Sequence, residues 1–185
     1  IRAWQEEHDY DYHVGRLTVP WALHQVAQST TGKAYAYVTD VGQHQMWAAL
    51  HLRVEEARTW LTSGGLGTMG YGLPAAMGAQ IAWGDSRRMI HIAGDGGIKM
   101  TGNEYYTIAR LDLPILSILV NNRSLGMIRQ LQKVLYDERY IACELDHAMD
   151  YVKYAESFGI KAVRVATQEE FAAALSGALE DRTYP

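Results

Sequence analysis

The stretch Arg88-Met89-Ile90-His91-Ile92-Ala93-Gly94-Asp95-Gly96, read with Ile115-Leu116-Ser117-Ile118-Leu119-Val120-Asn121-Asn122, decides the fold. Each is a β-prone run that ends in a loop of glycine or short polar residues. The second run is nearly continuous in apolar residues, the pattern of a strand buried on both faces of a parallel sheet. Between them, Thr101-Gly102-Asn103-Glu104 reads as a capping box that opens a helix to about Arg110. Pro114 then marks a turn. A strand–helix–strand unit of this kind crosses over right-handed, so both strand-end loops emerge at one edge of the sheet.

The alternation continues outward in both directions. Upstream, the spacing predicts a helix over 21–29, a strand over 34–39, a helix over 46–52, a short strand over 59–62 and a small-residue helix over 70–83. Downstream, it predicts a helix over 126–136 and another capped by Asp146, reaching Phe158 and stopped by Gly159. Ala162–Val165 reads as the next strand. Thr167-Gln168-Glu169-Glu170 is a second capping box, ahead of Phe171, Ala174, Leu175, Ala178 and Leu179 on one helical face. The expected fold is therefore α/β, a doubly wound and mostly parallel sheet with helices on both faces.

Composition bounds the function. A chain of 185 residues is one domain, long enough to bury roughly 70% of its unfolded surface. The net charge of −4 leaves no nucleic-acid footprint. No apolar run approaches the ~20 residues of a membrane span. The single cysteine, Cys143, fits a reducing compartment, and the charged N-terminal residues carry no apolar leader core, so a cytoplasmic setting is expected. Residues 1–20 read as a polar linker or strap and 21–185 as the domain. The cluster His8, Asp9, Asp11 and His13 reads as a solvated segment, because its spacing matches no strong metal template. The chain does not begin with Met and stops at Pro185 after a helical stretch, and it reads as a fragment of a larger multidomain polypeptide.

In doubly wound sheets ligands sit outside the carboxyl ends of the strands. Four loops qualify: Asp40–Gln45, Ser63–Gly72, Gly94–Gly97 and Asn121–Gly126. Eleven of the 17 glycines lie between Gly64 and Gly102, where backbone N–H groups can approach a phosphate. Gly65-Leu66-Gly67-Thr68-Met69-Gly70 matches a dinucleotide fingerprint, which points to a nicotinamide oxidoreductase. That reading needs an acidic residue at the end of the next strand, and Asp85 lies in a turn instead. Asp95 and Asn122 are 27 positions apart, separated by one helix and one strand. Their carboxylate and amide oxygens then face one point. With a backbone carbonyl they form a hard-oxygen site suited to Mg²⁺ holding phosphate oxygens.

Gly94-Asp95-Gly96 with Asn121-Asn122 resembles the thiamine diphosphate signature. Val41-Gly42-Gln43-His44-Gln45, the run 63–76 and the run Asn121–Gln130 resemble the cofactor loops of the acetolactate synthase branch of that enzyme family. The resemblance covers roughly residues 20 to 165. It implies Mg²⁺ ligation by Asp95, Asn122 and the main-chain carbonyl of Ser124. It implies diphosphate contacts from Gln43 and His44, with the backbone of Gly94, Gly96 and Gly97 assisting. The Gly67 carbonyl would accept from the cofactor's 4′-amino group. Met69 would be the apolar wedge that bends the cofactor, and Met127 a further cofactor contact. The implied activity is that of a transferase of branched-chain amino acid biosynthesis: decarboxylation of a 2-keto acid such as pyruvate and ligation of the product to a second 2-keto acid.

One position departs from the branch. Leu131 stands where an aromatic Trp usually lies beside the acceptor keto acid, which implies a wider acceptor pocket. The family's activating Glu belongs to a separate N-terminal domain with no matching segment here, so no catalytic residue is expected in this chain and the chain alone is expected to be inactive. A flavin site (FAD) would belong to another absent domain, and the whole enzyme would be a homodimer or tetramer. Two alternatives share these motifs: another thiamine diphosphate carboligase or decarboxylase, and a non-catalytic assembly domain that retains the fold.

Overall fold

The computed structural model describes residues 12, 15–145 and 149–181. Its elements, in order, are α1 (Val19–Thr30), β1 (Tyr35–Thr39), α2 (Gln43–His51), β2 (Trp60–Thr62), α3 (Gly72–Trp83), β3 (Arg88–Gly94), α4 (Asp95–Thr101), α5 (Tyr105–Arg110), β4 (Leu116–Val120), α6 (Gly126–Leu135), α7 (Tyr151–Glu156) and α8 (Gln168–Glu180). The four strands form one parallel sheet in the order β2-β1-β3-β4. The chain winds one way from β1 to β2 and the other way from β3 to β4. The β1/β3 boundary is therefore the switch point at which such sheets bind ligands.

Strand alternation divides the core. Tyr35, Tyr37, Ile90 and Ile92 face Leu23 and Val26 of α1, Ala48 of α2 and Phe171 and Leu175 of α8. Ala36, Val38 and Met89 face Leu73 and Ala76 of α3, Ile98 of α4, Ile108 of α5 and Ala155 of α7. Leu23, Leu73, Ile90 and Ile92 are essentially inaccessible, and each contributes about 1.5–3 kcal/mol of burial. Helix ends follow their local chemistry. Thr18 Oγ1 accepts from Trp21 N at 3.3 Å, with Pro20 in the first turn of α1. The capping box at Thr167 and Glu170 forms as expected from its spacing and opens α8.

Four expectations need correction. Thr101 does not cap a helix: it ends α4, and its hydroxyl donates to Gly70 O at 3.1 Å. A 3₁₀ turn over Gly102–Glu104 then leads into α5, whose start carries no side-chain cap. Gly94-Asp95-Gly96 is a strand-to-helix junction, since α4 begins at Asp95 itself. Helix α2 begins three residues early, at Gln43, which moves Gln43 and His44 from a loop into a helical first turn. Finally, residues 162–165 join no sheet. A groove of about 830 Å³ separates them from β4, which is an edge strand with all five residues only half-buried. The stop at Gly159 holds (φ +84°), after a helix that ends at Glu156 and is capped by Asp150. The cap at Asp146 and the cluster His8, Asp9, Asp11 and His13 lie outside the described residues.

Candidate functional site

The register Gly94↔Val120 puts the ends of β3 and β4 side by side, so the loops after them open at the same edge. Asp95, the first residue after β3, is 2% exposed. Its Oδ1 accepts the Gly96 N–H at 3.0 Å, and its Oδ2 has no hydrogen-bond partner. Burial raises its pKa, opposed by the backbone N–H groups of Arg123 and Gly96 and by the Lys99 ammonium. Arg123 N–H belongs to the loop that carries Asn122, so the carboxylate lies beside that loop.

That loop is ordered by its own side chains. Asn122 Oδ1 accepts Ser124 N at 3.0 Å, and Ser124 Oγ donates to Cys143 O at 2.9 Å. Gly126 is needed for close approach: a Cβ there would collide with Gln43 Oε1 and fall 2.7 Å from Asn122 Nδ2. Gln43 of α2, Asn122 and the start of α6 thus converge, and Gln43 Nε2 also donates to Gln130 Oε1 at 2.7 Å. Among the described residues, no three or more His, Cys, Asp or Glu side chains gather as metal ligands. A cation here would be held by one carboxylate, one amide and main-chain or ligand oxygens.

His44 lies between the β1 and β3 loops. A Cβ at Gly94 would sit 3.0 Å from its Nδ1, and one at Gly42 would sit 2.9 Å from its Cε1. The ring is buried, and Nε2 has no partner. Desolvation lowers its pKa to about 4, against the pull of Asp40, so the imidazole is neutral near pH 7. Met69 reaches the same junction, its Cε 3.1 Å from where a Gly96 Cβ would be. Gly67 is exposed with φ +64° on the loop before α3. Gly97 packs against Asp40, and a Cβ there would fall 2.7 Å from Oδ1. Met127 is half-buried in the first turn of α6, while Leu131, one turn on, is 47% exposed. The structure therefore gathers Gln43, His44, Met69, Gly94, Asp95, Gly96, Gly97 and the 122–126 loop at the sheet edge. It leaves Leu131 on an open helix face with Ile128, Val134 and Leu135.

Two buried polar residues have roles that no sequence pattern marks. Asp40 directly follows β1 at the switch point and binds the glycine loop through the backbone N–H groups of Gly70 and Gly72. His91 is mid-strand and fully buried, with Nδ1 2.7 Å from Ser117 Oγ and Nε2 without a partner. Desolvation lowers its pKa to about 4 as well. The only signal for Asp40 was its place directly after a strand, and nothing distinguished His91 from a core residue.

The profile of a family described as thiamine pyrophosphate enzyme, C-terminal TPP binding domain, matches residues 40–184. Acetolactate synthase large subunits are similar over most of the chain. That of Parasynechococcus marenigrum (strain WH8102) is 49% identical over 146 residues, 78% of this chain and 23% of that protein. That of Cyanidium caldarium is 42% identical over 172 residues, 92% of this chain and 29% of that protein. The isozyme 3 large subunit of Escherichia coli (strain K12) is 38% identical over 171 residues, 92% and 29% of the two chains. The chain thus spans about a quarter of the length of these relatives. A solved thiamine diphosphate-dependent 4-hydroxybenzoylformate decarboxylase of Rhodococcus jostii RHA1 shares the fold, with a TM-score of 0.83 at 24% identity, over 95% of this chain and 33% of that one. With a family match over most of its length and the matching loops gathered at one sheet edge, the chain belongs to the thiamine pyrophosphate enzymes, as a C-terminal cofactor-binding domain.

Proposed function

We propose that the chain holds Mg²⁺–thiamine diphosphate for an acetolactate-synthase-like transferase, which decarboxylates pyruvate or a similar 2-keto acid and joins the product to a second one. The observation that carries this is the Asp95 carboxylate, buried with one oxygen unpaired beside the Asn122 loop. Leaving such an oxygen unpaired costs several times what a satisfied hydrogen bond contributes, and a divalent cation removes that cost. The donor set fits Mg²⁺: Asp95 Oδ2, a remaining lone pair on Asn122 Oδ1 and the Ser124 carbonyl are all hard oxygens.

In this reading the neutral His44 Nε2, Gln43 and the Gly96 and Gly97 N–H groups meet the diphosphate. The Gly67 carbonyl takes the 4′-amino group, while Met69 and Met127 supply apolar walls. When bound, the cofactor supplies the carbon nucleophile and the electron sink for decarboxylation. The protein's part is to orient it, anchor its charge through the cation and keep water from the reacting end. Residues 21–185 serve as the diphosphate domain and 1–20 as the strap leading into it. The pyrimidine-activating Glu, any FAD and the second subunit of a homodimer or tetramer come from outside these residues. The open apolar face of α6, with Leu131 on it, supports such an assembly. Among the described residues no helix is long and apolar enough to cross a membrane, in keeping with a cytoplasmic biosynthetic enzyme.

Calorimetric titration of the chain with thiamine diphosphate tests the reading. Binding is expected with Mg²⁺ and lost with a chelator. Asp95→Ala should weaken it more than Asn122→Ala, because a charged ligand oxygen is removed rather than a neutral one. Unchanged affinity in Asp95→Ala would overturn the metal assignment.

A further inference from the structure

We infer that Asp40 is a positioning residue: its buried carboxylate clamps the glycine loop 67–72 and the start of α4 to the switch point, so that the cofactor site is set before any ligand arrives. The inference rests on the cofactor reading above. Asp40 is 1% exposed and lies outside the residues expected to touch cofactor or metal.

Its two oxygens are satisfied almost entirely by backbone. Oδ1 accepts Val41 N at 2.7 Å, and both oxygens lie 3.0 Å from Gly70 N. Oδ2 also accepts Gly72 N at 3.0 Å. The Gly70 and Gly72 N–H groups come from a segment 30 and 32 positions away, and bonds from them to a carboxylate are charge-assisted, stronger than neutral ones. The clamp is tight on every side. A Cβ at Gly72 would fall 2.8 Å from Asp40 N and 2.7 Å from His91 Nε2, and one at Gly97 would fall 2.7 Å from Asp40 Oδ1. Glycines at 72 and 97 are what let the α3 and α4 junctions close on this one carboxylate. Gly70 is further tied to α4, because its carbonyl accepts the Thr101 hydroxyl at 3.1 Å.

The loop so fixed carries Gly67 and Met69, and Met69 Cε reaches the place of a Gly96 Cβ. A loop anchored by two glycine N–H groups can hold a carbonyl and an apolar wedge at a set distance from Asp95. Without that anchor the exposed residues 64–68 are left with short-range bonds: Gly64 N donates to Thr62 O at 2.9 Å, Thr68 N to Ser63 Oγ at 3.0 Å and Tyr71 N to Thr68 O at 3.4 Å.

Asp40→Asn is the decisive variant. It keeps the shape and the oxygen that serves Val41 N, but Gly70 N–H loses one of its two acceptors and Gly72 N–H is left facing an N–H₂ donor. Amide exchange of the ¹⁵N-labelled chain and its chemical-shift titration with Mg²⁺–thiamine diphosphate are read together, with circular dichroism checking the fold. In Asp40→Asn, the Gly70 and Gly72 amides should exchange at least about tenfold faster, while Ile90 and Ile92 in β3 stay protected. Cofactor affinity should fall by about tenfold at unchanged secondary structure. Unchanged exchange at Gly70 and Gly72 would overturn the clamp. Faster exchange with unchanged affinity would overturn its link to the site. If the wild-type chain shows no cofactor-dependent shifts, the cofactor reading fails instead, and the exchange data still decide the clamp. If Asp40→Asn does not fold, Asp40→Glu, which keeps the charge but lengthens the arm, should fold and bind more weakly than wild type, and full affinity in it would refute the positioning role.

Discussion

Replacing Asp95 by Asn should make the metal-free chain more stable and remove its response to the cofactor. Asp95 is 2% exposed, one of its oxygens has no partner and burial raises its pKa. An unsatisfied buried polar group costs about 1–3 kcal/mol, and more when charged. An Asn keeps the oxygen that accepts Gly96 N–H and discharges the other end, at the cost of one unpaired neutral N–H₂. The net gain is about 1 kcal/mol at neutral pH, which is about 2–4 °C in Tm for a domain of this size. The pH dependence follows from the sign of the shift. A carboxyl whose folded pKa is raised is strained while ionised, and the wild type recovers that stability as pH falls through the raised pKa. The advantage of Asn should therefore shrink on acidification. Saturating Mg²⁺–thiamine diphosphate reverses the ranking, because a ligand at 100 times its Kd adds about 2.7 kcal/mol to the wild type and little to the variant. Scanning calorimetry of both proteins, with and without cofactor, reads all of this. A lower Tm for Asp95→Asn in the metal-free state, or equal stabilisation of both proteins by cofactor, would refute the reasoning.

Three further outcomes follow. His44 and His91 both titrate near pH 4 when folded and near 6.5 when unfolded, so stability should be flat above about pH 7 and fall from about 6.5 toward 4 as the unfolded state takes up protons, by about 1 kcal/mol or more per unit; a flat urea-denaturation profile across that window contradicts it. Leu131→Trp in the full-length enzyme should shift the product ratio from competing pyruvate and 2-ketobutyrate, by the roughly 1–3 kcal/mol that one methylene is worth in a shaped pocket; an unchanged ratio places Leu131 away from the acceptor. The chain alone should consume pyruvate at least ~10²-fold more slowly than the full-length enzyme, because the expected acid–base partner of the cofactor lies elsewhere; comparable turnover would put a catalytic carboxylate within these residues.

The parts of the fold that were legible were those dictated by local pattern. The apolar runs of β3 and β4 predict both strands, and their separation by one crossover predicts that Asp95 and the 121–124 loop share an edge, as the parallel register shows. The Thr167 capping box was readable because both of its bonds lie within four residues. Thr101 carried the same local signal, but its hydroxyl is drawn to Gly70 O, 31 positions away, and the helix breaks there instead. Ala162–Val165 has strand composition yet pairs with no strand among the described residues, and pairing is not a local property. The positioning role of Asp40 is not legible for a related reason. Its partners are backbone N–H groups at Gly70 and Gly72, and no side-chain pattern advertises them.

The position of a bound divalent cation is the most direct test of the metal assignment. Mn²⁺ with thiamine diphosphate, added to the ¹⁵N-labelled chain, broadens the amides nearest the metal. Broadening centred on Asp95–Gly97 and Asn122–Leu125, extending to Gln43 and His44 and sparing Tyr35, Arg88 and Leu116 at the opposite edge of the sheet, is the predicted result. Broadening centred elsewhere, or the same pattern in Asp95→Ala, would contradict it.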